Sequence, residues 1–218
     1  MDLNEKFVIT ISREIGSGGR TVGRKLSEKL GVPYCDKNVI RGLIEHFNLS
    51  AYNIEKIKGE KKNWLSDFIQ KVAPVPPAGS FLETESRYAT EYPEAVTTEN
   101  IFKVEAQILK DLAEEGSCVI AGRSGFFVLK DHPNKVDVFI TSSRENRLEH
   151  IMRKQQLPKE QAETVLDSVD KMRENYVKRF TSRSRYDLRN YDLVLNMDKL
   201  TEDEAVDCIL QFIRPRNP

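Results

Sequence analysis

A β-branched run, "KFVITIS" (6–12), passes into the glycine cluster of "REIGSGG" and then into "RTVGRKLSEKL". A short, continuous apolar run of this kind is expected of a strand buried on both faces. The glycines break it, and Val22, Leu26 and Leu30 then recur at helical spacing, with Gly31 as the stop. Strand, glycine turn and helix open an α/β fold built on a parallel sheet. Four further strands are expected: "VPYC" (32–35), "SCVIAG" (117–122), "KVDVFIT" (135–141) and "YDLVLNM" (191–197). Asp36 stands at the N-cap position of "DKNVIRGLIEHF", and "EDEAVDCILQFI" (202–213) reads as a closing amphipathic helix. Together they predict one three-layer domain over 1–218, a five-stranded parallel sheet between helices. Residues 50–95 show no strand pattern and carry Trp64, "PVPPAG" and an acid-rich stretch. They read as a mostly helical insertion, either a lid over a second substrate or a packing appendage.

The glycine turn carries the chemistry. Glu14-Ile15-Gly16-Ser17-Gly18-Gly19-Arg20-Thr21 follows the phosphate-loop pattern G-x-x-x-x-G-K-[ST], with Glu14 for the leading glycine and Arg20 for the lysine. A loop leaving a strand and entering a helix aims backbone N–H groups at the helix N-terminus, where the dipole favours an anion. Gly16, Gly18 and Gly19 allow phosphate oxygens to approach the chain closely, and Ser17 lies between them. Thr21 offers a hydroxyl to Mg²⁺, and Arg20 a planar fork for two phosphate oxygens. Glycine-rich turns also arise for steric reasons alone, but the flanking strand and helix favour a phosphate loop. Glu14 is expected to point away from phosphate or to meet Arg13.

A second basic element lies at "MRENYVKRFTSRSRYDLR" (172–189), where Arg179, Arg183 and Arg185 stand among other cations. Charge runs are usually solvated faces. Here arginine dominates, and the run sits between a long helix and the last strand, so residues 180–190 are read as a closing lid. Within the run only Glu174 and Asp187 oppose these charges, which predicts a mobile, open segment. Arg123, in "AGRSG" after the third strand, faces the same end of the sheet as the glycine loop, where α/β proteins bind ligands. His46, His132 and His150 are scattered and read as surface or packing residues.

Composition narrows the classes. Thirty-four basic and thirty-four acidic residues cancel, and no aromatic stacking motif accompanies the basic run, which argues against a nucleic-acid partner. No apolar run approaches the roughly 20 residues that span a bilayer. The N-terminus does not read as a signal peptide, and three scattered cysteines (Cys35, Cys118, Cys208) read as reduced thiols, so a cytoplasmic location is expected.

These residues resemble the cytidylate kinase-like proteins, a divergent branch of the P-loop nucleoside monophosphate kinases. The resemblance runs from "ITISREIGSGGRTVGRKLSEKLGVPYCDKNVI" through "VIAGRSGFFVL" and "VDVFITSSRENRLEHI" to "RNYDLVLNMDKLTEDEAVDCI". It implies ATP on the glycine loop, a monophosphate acceptor under the central insertion, and an arginine lid. By position, Gly16, Gly18, Gly19, Arg20 and Thr21 become contacts for ATP phosphates and Mg²⁺. Asp36 matches the aspartate closing the second strand, and Arg123 the arginine of the family's D-G-R-D. Ala121 and Ser124 occupy the two acidic positions of that motif, Lys37-Asn38 replace a small Ser/Thr-Gly pair, and Arg41 is one position out of register. Cytidylate specificity therefore does not carry over. The expected activity is Mg²⁺- and ATP-dependent phosphoryl transfer to a small acceptor, with a nucleoside monophosphate as the implied one. In it, Arg20 serves the β/γ-phosphates, Arg123 the acceptor, Asp36 the acceptor or metal-bound water, and Arg179, Arg183 and Arg185 the lid. The rival reading is a nucleotide-binding regulatory protein without turnover.

Overall fold

A computed structural model describes residues 1–36 and 98–214. Residues 1–36 and 109–214 belong to one compact unit, and 98–108 to a second unit whose remaining residues lie outside the described ones. The expected insertion at 50–95 falls there. In the first unit, strands β1 (Val8–Arg13), β2 (Tyr34–Cys35), β3 (Cys118–Ala121), β4 (Lys135–Thr141) and β5 (Leu193–Asn196) form one parallel sheet in the order β2-β3-β1-β4-β5. The α-helices among the described residues are α1 (Gly19–Leu30), α2 (Thr98–Glu115), α3 (Gly125–Val128), α4 (Arg144–Gln155), α5 (Lys159–Thr181) and α6 (Glu202–Ile213). The five expected strands are all found.

β1 is the central strand. Val8 pairs with Cys118 on one side and Lys135 on the other, and β1 runs on to pair Arg13 with Ile140. Val8, Ile9 and Ile11 are fully buried, as a strand covered on both faces requires. Ile9 and Ile11 join Val119, Val138 and Ile140 in a cluster with Val22 and Leu26 of α1 and Val206 and Ile209 of α6. Each fully buried Ile or Leu there stabilises the fold by about 1.5–3 kcal/mol.

Two features fix α1 against its surroundings. Gly31 ends it at φ +66, its N–H bonded to the Glu28 carbonyl at 3.3 Å. Along its outer side, Lys25–Asp203 (2.8 Å) and Lys29–Asp207 (2.7 Å) link it to α6. α6 starts at a capping box in which Thr201 and Glu204 bond each other's backbone N–H groups. The parallel sheet thus sends the C-terminal ends of β1, β2, β3 and β4 to one edge, and the site is built there.

Candidate active site

The glycine loop begins where β1 ends, with Glu14 N–H donating to the Ile140 carbonyl at 3.1 Å. Gly16 lies at φ +82 and Gly18 at φ +80. Gly18 is the N-cap of α1, with no side chain capping the helix, and its carbonyl accepts from Thr21 N–H at 2.8 Å and Val22 N–H at 3.1 Å. The amides of Gly18, Gly19 and Arg20 find no hydrogen-bond partner among the described residues. Unpaired donors at a helix N-terminus favour a bound anion. The Glu14 carboxylate is turned away from them: it accepts from the Thr141 hydroxyl and lies 3.5 Å from Arg147 Nη1. That fits one half of the expectation, since its cation is Arg147 rather than Arg13.

Around the C-terminal end of β1, guanidiniums outnumber the carboxylates they surround. Arg20 donates from Nε and Nη2 to one oxygen of Asp36, at 2.7 and 2.5 Å, while Arg13 Nη2 lies 3.7 Å from the other. Burial opposes ionisation of Asp36, but Arg13, Arg20 and Arg123 outweigh it and hold its pKa below the usual carboxylate value. Arg173 and Arg185 approach Arg13 from α5 and the segment after it, both donating to the Arg13 carbonyl. Asp170 takes Arg147 Nη1 at 2.5 Å, Arg185 Nη1 at 3.5 Å and Arg173 Nη1 at 3.6 Å. Burial, then the charges of Arg13 and Arg185, push the Arg173 pKa down. Arginine stays protonated in proteins, so the same field acts as attraction for an anion.

The turn after β3 is unusual. Gly122, Arg123 and Ser124 lie consecutively at φ +74, +56 and +55. Non-glycine residues in this region are disfavoured by roughly 1–2 kcal/mol each, so the surroundings hold Arg123 and Ser124 in place. The buried Ser124 hydroxyl has no hydrogen-bond partner among the described residues.

On the other side of the loop lies a cavity of about 410 Å³. Gly16, Ser17 and Gly18 form one wall, His150 of α4 another, and Met197 and Leu200, after β5, supply apolar surface. Burial, then nearby Lys154 and Arg153, lower the His150 pKa and favour neutral imidazole. His150, read from the sequence as a surface or packing residue, lines this cavity, and one histidine inside a charged helix gives no local signal of that. For Met197 and Leu200 the sequence signals no more than a position just after the last strand.

Of the expected residues, Gly16, Ser17, Gly18, Gly19, Arg20 and Thr21 lie in the loop and the start of α1, and Arg123 lies near enough to Asp36 to act on its charge. The arginines expected to form a lid separate. Arg185 is buried, 4% exposed, and its backbone N–H donates to Glu174 at 2.9 Å. Arg183 is exposed and donates to Asn190 at 3.1 Å, and Arg179 is exposed beside Phe180. The expectation that these charges lack carboxylate partners is corrected: Asp170 is the partner of Arg185. It lies on α5, outside the run in which opposing acids were counted.

No three His, Cys, Asp or Glu side chains cluster as metal ligands among the described residues. Mg²⁺ is usually held by one or two carboxylates together with substrate phosphates and water. Asp36 and the partly exposed Thr21 hydroxyl fit that kind of donor set.

Sheet order and glycine loop define a P-loop kinase fold. A crystal structure of an uncharacterized protein from Eubacterium ventriosum ATCC 27560 superposes with a TM-score of 0.67 at 22% identity, covering 97% of this chain and 100% of that one. A shikimate kinase from Bacteroides thetaiotaomicron superposes with a TM-score of 0.53 at 13% identity, covering 95% of this chain and 98% of that one. No curated protein matches. The chain belongs to the cytidylate kinase-like family, which it matches over residues 8–199. Family and fold together indicate nucleotide-dependent phosphoryl transfer. No helix among the described residues is long and apolar enough to cross a membrane.

Proposed function

We propose that this protein is an ATP- and Mg²⁺-dependent phosphotransferase acting on a small anionic acceptor, with a nucleoside monophosphate as the first candidate. The observation that carries the reading is the unpartnered amides of Gly18, Gly19 and Arg20, set between the cavity and the arginine cluster. Phosphates of the nucleotide lie on those amides, and its base enters the cavity against Met197 and Leu200. The acceptor takes the opposite side, its anionic group drawn by Arg123 and Arg20 and its hydroxyl oriented by ionised Asp36. Phosphoryl transfer asks the protein mainly for alignment and charge stabilisation, which this arrangement supplies without a covalent intermediate. Thr21 and Asp36 would hold the Mg²⁺ that neutralises the phosphates. Arg179 and Arg183, both exposed, are the arginines of this segment that would close over the transferring group, and Arg185 anchors that segment.

The test is ADP production from ATP with nucleoside monophosphates and small hydroxylated anions as acceptors. Turnover with one acceptor class is expected. ATP binding without turnover on any acceptor favours the regulatory reading, which the residue directly after Gly18 makes specific: it is Gly19, not lysine.

A further inference from the structure

In the phosphate-loop pattern the cation follows directly after the last glycine, which turns the chain into the helix. Here the last glycine at positive φ is Gly18, and α1 begins at Gly19. The position that ordinarily sends a lysine toward the phosphates therefore has no side chain. Arg20, one residue further on, is about half exposed and fastened to Asp36.

The space beside Gly19 is not empty. A Cβ on Gly19 would lie 2.6 Å from Arg13 Cβ and 3.1 Å from Arg13 Cγ. The aliphatic stem of Arg13 thus occupies the place where a side chain of residue 19 would start. Its guanidinium reaches the bare backbone of Gly122 and comes within 3.7 Å of Asp36. The Arg13 backbone is fixed in turn by Arg173 and Arg185 on its carbonyl. The window Arg13–Arg20 also fits the motif by spacing, with Arg13 at its leading glycine and Gly19 at its lysine. Glycine and cation have exchanged positions.

We propose that Arg13, crossing the bare Cα of Gly19 from the end of β1, is the cation of this loop and contacts the terminal phosphate of the bound triphosphate. The inference rests on the nucleotide-binding reading above and deepens it. A guanidinium differs from an ammonium here in offering a planar fork to two oxygens. Asp36 supplies its counter-charge when no phosphate is present, and the terminal phosphate takes over that role on binding. Gly19 and Gly122 are then glycine for one shared reason, since a side chain at either would displace Arg13.

Calorimetry of the full chain with a non-hydrolysable ATP analogue, and with ADP for comparison, tests this. Arg13→Met keeps the stem over Gly19 and removes the charge. It is expected to weaken binding of the analogue about tenfold or more, with a smaller effect on ADP and a near-native melting temperature. Arg20→Ala should weaken the analogue less. The exchanged variant Arg13→Gly/Gly19→Lys, which restores the usual arrangement, should recover binding. Analogue affinity unchanged in Arg13→Met, or a folded exchange variant with no recovery, would overturn the assignment of Arg13 alone. Absence of analogue binding by the unmodified protein would instead overturn the nucleotide reading.

Discussion

Arg20 Nε and Nη2 converge on a single oxygen of Asp36, at 2.7 and 2.5 Å, while the other oxygen faces Arg13 at 3.7 Å. One buried carboxylate thus restrains two guanidiniums. Asp36→Asn removes the charge but keeps the shape, leaving both arginines uncompensated. Breaking a buried pair typically costs about 3–5 kcal/mol, but Arg20 is half exposed and screened, so a loss of about 1–3 kcal/mol is expected in urea unfolding. Sulfate should restore more stability to this variant than it adds to the unmodified protein, because an anion replaces the missing charge.

The same carboxylate sets an acid limit. Its folded pKa lies below an unfolded value of about 3.9, because Arg13, Arg20 and Arg123 outweigh the opposing effect of burial. Stability from this site is therefore complete above that unfolded value and lost as pH falls through the folded pKa. Carbon-detected NMR should show Asp36 titrating below the usual aspartate value, and Arg20→Ala should move its midpoint upward. An unmoved midpoint would mean that Arg20 contributes little to the field.

Gly18 separates conformational strain from crowding. It lies at φ +80, yet the nearest atom to a Cβ placed there is 3.8 Å away, on Glu202. Gly18→Ala should therefore lose only the left-handed backbone penalty, about 1–2 kcal/mol. Gly19→Ala, whose Cβ would meet Arg13 at 2.6 Å, should also lose anion binding. Thermal melts and sulfate titration of the two variants give the comparison.

Met197 lies on the cavity side of the loop. Met197→Trp fills part of the space assigned to the base while leaving the loop amides untouched. ATP affinity should fall about tenfold, which is about 1.4 kcal/mol, while inorganic tripolyphosphate binds as before. Equal losses for both ligands would move the base elsewhere.

Arg185 joins α5 to the end of β1 through Asp170 and the Arg13 carbonyl. Arg185→Ala should destabilise the fold by about 1–3 kcal/mol, because the Arg13 carbonyl loses a charged donor while Asp170 keeps Arg147 and Arg173. Hydrogen exchange in the unliganded protein should find the backbone near Arg185 protected and Arg183 less so. Rapid exchange at both would return the whole of 180–190 to the open lid that its charge pattern predicts.

β1, β3 and β4 were legible because they are buried on both faces and read as short, mostly apolar runs; "KVDVFIT" coincides with β4 (Lys135–Thr141). The loop was legible because glycine is rarely gathered so densely without a backbone reason. Its register was not: windows beginning at Arg13 and at Glu14 both approximate the motif, and only the left-handed Gly18 ahead of α1 distinguishes them. The Asp170–Arg185 pair joins residues in different structural segments, so an inventory limited to the basic run misses it. His150 was hidden for a related reason, since the loop that meets it is distant in sequence.

The left-handed run at Gly122, Arg123 and Ser124 bears on how such a protein can be engineered. A procedure that ranks substitutions by thermal stability would select glycine at 123 and 124, where it relieves the backbone. The resulting protein would melt later and lack the Arg123 guanidinium, whose charge helps to hold Asp36 ionised, and the Ser124 hydroxyl. On the role proposed for Arg123, the sturdiest sequence for this turn and the working sequence are different sequences, so a thermostable library should hold 123 and 124 constant.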